Sequence, residues 1–319
     1  MSITLALAGD TMLGRGVAER LLAAPPESLF APELVEIVRE ADLLVLNLEC
    51  CISDRGEPWE APGKPFFFRA PPAAVDALAL LGVDCVTLAN NHALDFGEQA
   101  LLDTFDHLAR GGIAWVGAGP DVEQARAPVT LQAGEFRLSV VGVADHPADF
   151  AAGPDRPGVA FADLSRGVPE WLTATIGSAG GDAVLVTPHW GPNMSPTPVP
   201  HVRRTAPALL RAGATLVAGH SAHVFQGVQG RILYDLGDFI DDYAVDPILR
   251  NDLGLLWMIT LDSDGPARLE AIPLFLDFCR TRLADGEDAE WIRKRFRHAC
   301  AEFGTDVTEE QGRLVVTWR

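Results

Sequence analysis

The stretch Val83-Asp84-Cys85-Val86-Thr87-Leu88-Ala89-Asn90-Asn91-His92-Ala93-Leu94-Asp95-Phe96-Gly97 decides how the rest of the chain reads. A short apolar, β-favouring run at Val83, Cys85, Val86 and Leu88 leads straight into two amides, an imidazole and a carboxylate. A helical pattern from about Glu98 to Arg110 follows at once. Such a segment is a strand that delivers polar side chains to the C-terminal edge of a sheet, the edge at which open α/β sheets bind ligands. A plainer reading makes Asn90 and Asn91 turn-formers that only bend the chain. The first reading gains from four other strands that end in the same way.

Upstream, Ile3–Ala8 is a buried-strand run that closes on Gly9-Asp10-Thr11-Met12-Leu13-Gly14-Arg15-Gly16, where glycines permit a tight turn. After a helical pattern over Pro32–Glu40, Asp42–Leu48 is a second strand, closing on Asn47-Leu48-Glu49. Downstream, Asp182–Thr187 ends in Pro188-His189-Trp190-Gly191. Ala214–Ala218 follows a helical His201–Arg211 and ends in Gly219-His220-Ser221-Ala222-His223. Strand ends therefore deliver Asp10, Glu49, Asn90/Asn91/His92, His189 and His220/His223. Carboxylate, amide and neutral imidazole donors together suit a divalent cation such as Mn, Zn, Fe or Ca, and the lack of thiolates disfavours a structural zinc site. One histidine at a strand end is ordinarily a hydrogen-bonded core or surface residue; five such ends at one edge point to a metal. His107 and His298 have no companion ligands and read as structural, whereas His146 and His201 can reach the rim.

The remaining chain alternates strands and helices. Ile52–Pro72, rich in Gly and Pro and carrying Trp59, Lys64, Phe66 to Phe68 and Arg69, reads as a long loop crossing the site mouth. Its three phenylalanines are most simply an aromatic plug. Pro72–Leu81 and Pro169–Ile176 read as helices and Ile113–Gly117 as a strand. Ala127–Val143 reads as a hairpin through Ala133-Gly134, and Val224–Tyr234 as another around Gln229-Gly230. Leu253–Leu261 and Arg268–Phe275 are expected to be strands of a second sheet. Asp288–Phe303 and Arg313–Trp318 give a helix and a strand, so that 276–319 forms an appendage on a single domain spanning 1–319.

With 319 residues, 48% of them hydrophobic and 22% charged, the chain can bury a large α/β core. The formal charge of −19 argues against a nucleic-acid backbone as partner. Cys50, Cys51, Cys85, Cys279 and Cys300 show no framework spacing and read as reduced core residues. The N-terminal run has no basic lead and is too short for a signal peptide or membrane anchor. The expectation is a soluble, cytoplasmic protein.

The motifs Gly9-Asp10-Thr11-Met12-Leu13-Gly14-Arg15, Asn47-Leu48-Glu49, Phe68-Arg69-Ala70-Pro71 and Ala89-Asn90-Asn91-His92 with Asp95 and Gly97 occur in this order. They are followed by His189-Trp190-Gly191, Gly219-His220-Ser221-Ala222-His223 and Tyr234-Asp235-Leu236-Gly237-Asp238-Phe239. Over roughly residues 3–275 this set resembles the CapA family of poly-γ-glutamate capsule proteins, within the calcineurin-like metallophosphoesterase superfamily. The resemblance implies an α/β chain folded as a four-layer α/β/β/α sandwich, the calcineurin-like metallo-dependent phosphatase fold. Asp10 stands where the superfamily's Asp-x-His begins, Glu49 where its bridging Asp sits, and Asn91 and His92 where its Gly-Asn-His does. His189 matches its isolated His, and His220 and His223 match a Gly-His-x-His stretched by one residue. Met12 departs from the pattern by replacing a ligand His, and a thioether is a poor ligand for hard ions, so one strongly held ion is expected.

The expected metal ligands are then Asp10, Glu49, Asn91, His189, His220 and His223, holding Mn, Ca or Zn. His92 is expected to move a proton, with Asp95 or Asp10 orienting its ring and His223 also in the catalytic set. Arg15, Lys64 and Arg69 sit in site-edge loops suited to clamping an anionic group, and Trp190 is added as a substrate contact. The implied function is a metal-dependent enzyme acting on a peptide or poly-γ-glutamate-like substrate, by epimerisation at a Cα or by amide hydrolysis; lasso-peptide epimerases have a similar fold. The alternatives are a phosphoesterase and a non-catalytic capsule-biosynthesis accessory protein. No nucleic-acid partner and no membrane anchor are expected.

Overall fold

The computed structural model describes residues 2–60 and 63–318. The N-terminal apolar run forms the strand Ser2–Thr11, and Leu43–Leu48, Cys85–Thr87 and Ala114–Val116 line up beside it in that order, all parallel. Parallel neighbours need crossovers, supplied by the helices Pro32–Val38, Ala74–Leu81 and Gly97–Arg110. Alternation along each strand sends side chains to two layers. Ala6, Ala8, Leu44, Leu46 and Val86 join the core shared with these helices. Leu5, Leu7, Leu43, Val45 and Cys85 face the other way, into the core shared with a second sheet.

That second sheet is built on Ala183–His189, parallel to both Phe136–Ala144 and Leu216–Ala218, with Val129–Ala133 at one edge and Ile232–Leu233 and Val228–Gln229 at the other. Leu138, Val140, Leu185 and Leu216 meet the first sheet. Val141, Val143, Val184, Val186 and Val217 pack under the helices Glu170–Ser178 and Pro200–Arg211 through Leu172, Ile176, Val202 and Leu209. The architecture is the four-layer α/β/β/α sandwich.

Leu253–Asp262 and Gly265–Leu276 correct one expectation, because they belong to the first sheet. Leu253–Asp262 runs antiparallel to Ser2–Thr11, with Leu7 opposite Trp257, and Gly265–Leu276 returns beside it. Both faces of this pair are apolar, so Leu255, Trp257 and Ile259 fill the inter-sheet core while Leu256 and Met258 fill the helix side. A local apolar run specifies a strand, not the distant edge on which it pairs. The helix Gly286–Ala301 inserts Ile292, Phe296 and Cys300 into the same inter-sheet core, and Arg313–Thr317 pairs with Gly265–Leu276. The glycine-rich turn after Asp10 runs directly into a helix, Arg15–Ala23.

The carboxyl ends of both parallel blocks meet at one edge. Two glycines allow the approach: a Cβ on Gly9 would stand 1.8 Å from the Gly237 oxygen, and one on Gly142 would stand 3.0 Å from Gly117 Cα. No helix among the described residues is long and apolar enough to cross a membrane.

Candidate metal centre

Each side chain at this edge is set by the strand or turn that carries it. Asp10 stands at a register shift in the first strand, and its Oδ1 accepts from Asn47 Nδ2 at 2.7 Å. Asn47 in turn accepts from Asn90 Nδ2 at 2.9 Å, so three neighbouring strand ends are tied by a line of amides. The segment bearing His220 and His223 takes an unusual path, with φ of 120° at Ser221 and 58° at His223. Left-handed backbone at non-glycine residues costs on the order of 1–3 kcal/mol each and persists only where its surroundings hold it. Asp235 does so here, accepting from Ala222 N at 2.8 Å and Gly237 N at 2.9 Å, and Ser221 N donates to Asp10 at 3.3 Å.

Two buried groups of donors share Asp10: Asp10, His189 and His220 form one, and Asp10, His223 and Asp238 the other. Glu49 lies between them. Its Oε1 is 3.9 Å from both His189 Nε2 and His92 Nε2, and its Oε2 is 3.9 Å from His223 Nδ1. Both Glu49 oxygens, His189 Nε2, His220 Nε2, Asp238 Oδ2 and Asn91 Oδ1 are buried with no hydrogen-bond partner among the described residues. Buried polar atoms are almost always paired, and the Glu49, His189, His220 and Asp238 orphans, five atoms of ligand type in one cluster, fit a divalent cation. The sequence had not marked Asp238 as a ligand; it opens the short strand Asp238–Ile240 instead of following an apolar run. Its one signal was its place in the Tyr234–Phe239 motif.

Burial and crowding set the charges. Glu49 is pushed well above the usual carboxylate range by burial and then by the Asp10 charge. Burial also raises Asp10, but its hydrogen bond to His223 and the charges of His223 and His220 bring it below its ordinary value. Burial lowers His220 to about 4 and, with His220 beside it, holds His189 well below the ordinary range. His223 is buried too, yet Asp238 and Glu49 lift it well above its ordinary value. His189 and His220 are thus held toward the neutral imidazole, the state in which histidine ligates metals.

His92 and Asp95 stand at the rim of this cluster. His92 Nδ1 is 2.5 Å from Asp95 Oδ2, which also accepts from Phe68 N at 2.7 Å. Lys64 Nζ bonds Asp95 Oδ1 at 2.9 Å and Asn91 O at 2.8 Å. Phe68 stacks on the His92 ring with centroids 4.0 Å apart. Burial holds His92 down at about 4 against the upward pull of Asp95, leaving its Nε2 lone pair free. Arg15, His92 and His223 line one cavity together with Phe66, Phe68 and Tyr243.

Three residues named as substrate contacts, Lys64, Trp190 and Arg69, do not line that cavity; Lys64 is held by Asp95 and Asn91 O. Trp190 is 2% exposed, packs in the helix-side core, and donates its indole N–H to Tyr234 O at 2.9 Å. Arg69 donates to Arg55 O and Gly56 O, both at 3.1 Å, and lies over the Phe96 ring. For Trp190 and Arg69 alternation is the cause: His189 and Phe68 face the site, so their successors face away. Met12 is no ligand either; it is fully buried in the core, and its Sδ accepts from Gly14 N at 3.0 Å. His146 and His201 reach the rim, where Asp145 bonds both and accepts from Gly191 N at 3.1 Å.

The structure is thus a two-sheet α/β/β/α sandwich with a buried cluster of His and Asp donors, joined by Glu49, at one edge. The chain belongs to the bacterial capsule synthesis protein PGA_cap family, whose model matches residues 4–243. It is 32% identical to the "Probable polyglutamine synthesis accessory protein" of Mycobacterium tuberculosis, over 98% of this chain and 95% of that one. It is 28% identical to the capsule biosynthesis protein CapA of Bacillus anthracis, over 85% of this chain and 67% of that one. Among solved structures, a hypothetical protein from Thermus thermophilus superposes with a TM-score of 0.46 at 17% identity, covering 88% of this chain and 96% of that one. The sulfate thiohydrolase SoxB of the same organism gives 0.43 at 14% identity, covering 92% and 60%.

Metal content tests the cluster directly. His189→Ala and His220→Ala, purified without chelator, are each expected to carry less divalent metal than the parent by elemental analysis. Equal content in all three proteins rejects the assignment.

Proposed function

We propose that this chain is a metal-dependent enzyme that acts on a peptide or poly-γ-glutamate-like substrate by His/Asp acid–base chemistry. The carrying observation is the His92–Asp95 pair, which borders an open cavity while the orphaned donors of the cluster lie immediately behind it. Asp10, Glu49, Asn91, His189, His220 and His223, joined by Asp238, are the residues to hold the ion. A bound divalent cation supplies Lewis acidity, drawing electron density from a carbonyl or carboxylate oxygen or increasing the acidity of a water.

The chain's own groups divide the remaining work. Asp95 fixes the tautomer of His92 by accepting from Nδ1, and Phe68 fixes the ring plane. Nε2 is then the atom that takes a proton from substrate or water. Lys64 neutralises Asp95, and this keeps the carboxylate from drawing the imidazole into the charged form. His223, with Nδ1 at 2.8 Å from Asp238 Oδ1, borders the same cavity from another side and is placed to return a proton.

Incubation of candidate peptides in deuterated water with Mn or Ca separates the two chemistries. Deuterium at a Cα without chain cleavage identifies epimerisation, and new termini identify hydrolysis. A second reading, phosphoester hydrolysis, draws on one observation: two donor groups share Asp10 and are spanned by Glu49, as suits an ion pair clamping an in-line displacement. Efficient metal-dependent cleavage of a simple phosphodiester, with neither peptide outcome, would replace the first reading with the second.

A further inference from the structure

We propose that the Tyr243 hydroxyl is a substrate-binding donor of the metal centre, giving its hydrogen bond to an anionic oxygen, carboxylate or phosphoryl, of the molecule that the centre receives. The proposal rests on the metal-dependent reading and adds a residue to it. Tyr243 lines the same cavity as His92 and His223, and its ring stands edge-on to His223 with centroids 5.3 Å apart. Its hydroxyl is buried with no hydrogen-bond partner among the described residues. The carboxylates whose charges act on it are those of Glu49, Asp238, Asp241 and Asp10. Three of these belong to the donor set for the ion, which places the hydroxyl on the metal side of the cavity wall. Buried hydroxyls are ordinarily paired, and this one points to an acceptor that arrives with the substrate.

The chain fixes this donor before any substrate arrives. Asp241 Oδ1 accepts from Tyr243 N at 2.8 Å, a side-chain turn that sets the backbone two residues on, and Asp241 O accepts from Cys279 N at 2.8 Å. The next residue, Asp242, is held by Gly16 N at 3.0 Å and by Arg15 Nε at 3.1 Å. The ring is packed beside Phe68, with centroids 5.8 Å apart, and its centroid is 5.9 Å from the Arg15 guanidinium. A donor held in this way needs no reorganisation when charge develops on an oxygen in front of it. Arg15 and His223, which line the same cavity, are committed to other partners, Arg15 to Asp242 and His223 to Asp238 and Asp10. A phenol suits a position among carboxylates because it keeps its proton at neutral pH and donates without adding charge. The divalent cation offsets those carboxylates and allows an anionic oxygen to approach them.

The test uses cobalt(II)-loaded protein, whose visible absorption changes when an anion joins the ion, with acetate and inorganic phosphate as probes. The parent is expected to bind at least one of the two, and the tighter one tells carboxylate from phosphoryl oxygen. Tyr243→Phe keeps the ring and removes a hydroxyl that bonds no other described residue, so the fold is not at risk and its melting temperature should not fall. The variant is expected to hold as much cobalt as the parent and to bind the preferred anion about 10 to 100-fold more weakly, the loss of one hydrogen bond to a charged group. Equal anion affinity in the cobalt-loaded variant overturns the proposal, as does binding of neither anion by the cobalt-loaded parent. Lower cobalt content in the variant makes the hydroxyl a support for the ligands and overturns it too. A parent that takes up no cobalt refutes the metal-dependent reading and the proposal with it, an outcome distinct from the other three.

Discussion

His92→Ala is expected to reduce turnover by about a hundredfold to ten-thousandfold, the usual contribution of a positioned acid–base group. Metal content and melting temperature should stay near those of the parent. The separation follows from where His92 sits: Nδ1 is tied to Asp95, while Nε2 is 3.9 Å from the nearest Glu49 oxygen. Removing the ring leaves Asp95 still bonded to Lys64 and Phe68 N, so no buried charge is stranded. Asp95→Asn should cost less, about 10 to 100-fold, because it disturbs the ring's tautomer without removing it. Full turnover in His92→Ala, together with unfolding of Asp95→Asn, would reduce the pair to a structural support.

Glu49→Gln is expected to abolish most of the thermal response of the protein to divalent metal. Metal at about a hundredfold above its dissociation constant stabilises a folded protein by about 2.7 kcal/mol, here on the order of 5 °C in melting temperature. In the parent, adding metal after chelator treatment should raise the melting temperature by that amount. Both Glu49 oxygens are buried with no hydrogen-bond partner among the described residues, and burial together with the Asp10 charge penalises the ionised carboxylate in the metal-free parent, so a neutral amide there relieves the fold. Chelated Glu49→Gln should therefore melt above the chelated parent while gaining little from added metal. Scanning calorimetry of the four samples decides it, and equal metal-induced shifts in parent and variant would remove Glu49 from the centre.

The strand ends were legible in the sequence because a polar residue directly after an apolar run has one place to go in a parallel sheet, the carboxyl edge. Asp10, Glu49, Asn91, His189, His220 and His223 all follow that rule. Asp238 breaks it by opening its strand, and it escaped notice. Side-chain direction was less legible: Trp190 and Arg69 are sequence neighbours of residues that face the site, yet a one-residue step along extended chain turns a side chain through to the other layer. The assignment of Leu253–Asp262 to a second sheet failed for a different reason. Its partner lies at the opposite end of the chain, and nothing within the run encodes a pairing so remote. Met12 was weighed as a lost ligand, whereas its backbone turns the thioether into the core, where shape alone accounts for it.

That remote pairing has a consequence for how the protein is made. Ser2–Thr11 is synthesised well before Leu253–Asp262 and can collect its parallel neighbours as they emerge, but Leu7 waits for Trp257. At bacterial translation rates the interval is on the order of 12–50 s, during which one margin of the central strand stands unpaired and sticky. The space between the sheets stays open longer still, until Ile292 and Phe296, and after them Leu314 and Val316, arrive to fill it. Nascent chains stalled before residue 250 should therefore be held by chaperones or lost to aggregation, whereas chains from which Leu314 and Val316 have also emerged carry the buried residues of that interior.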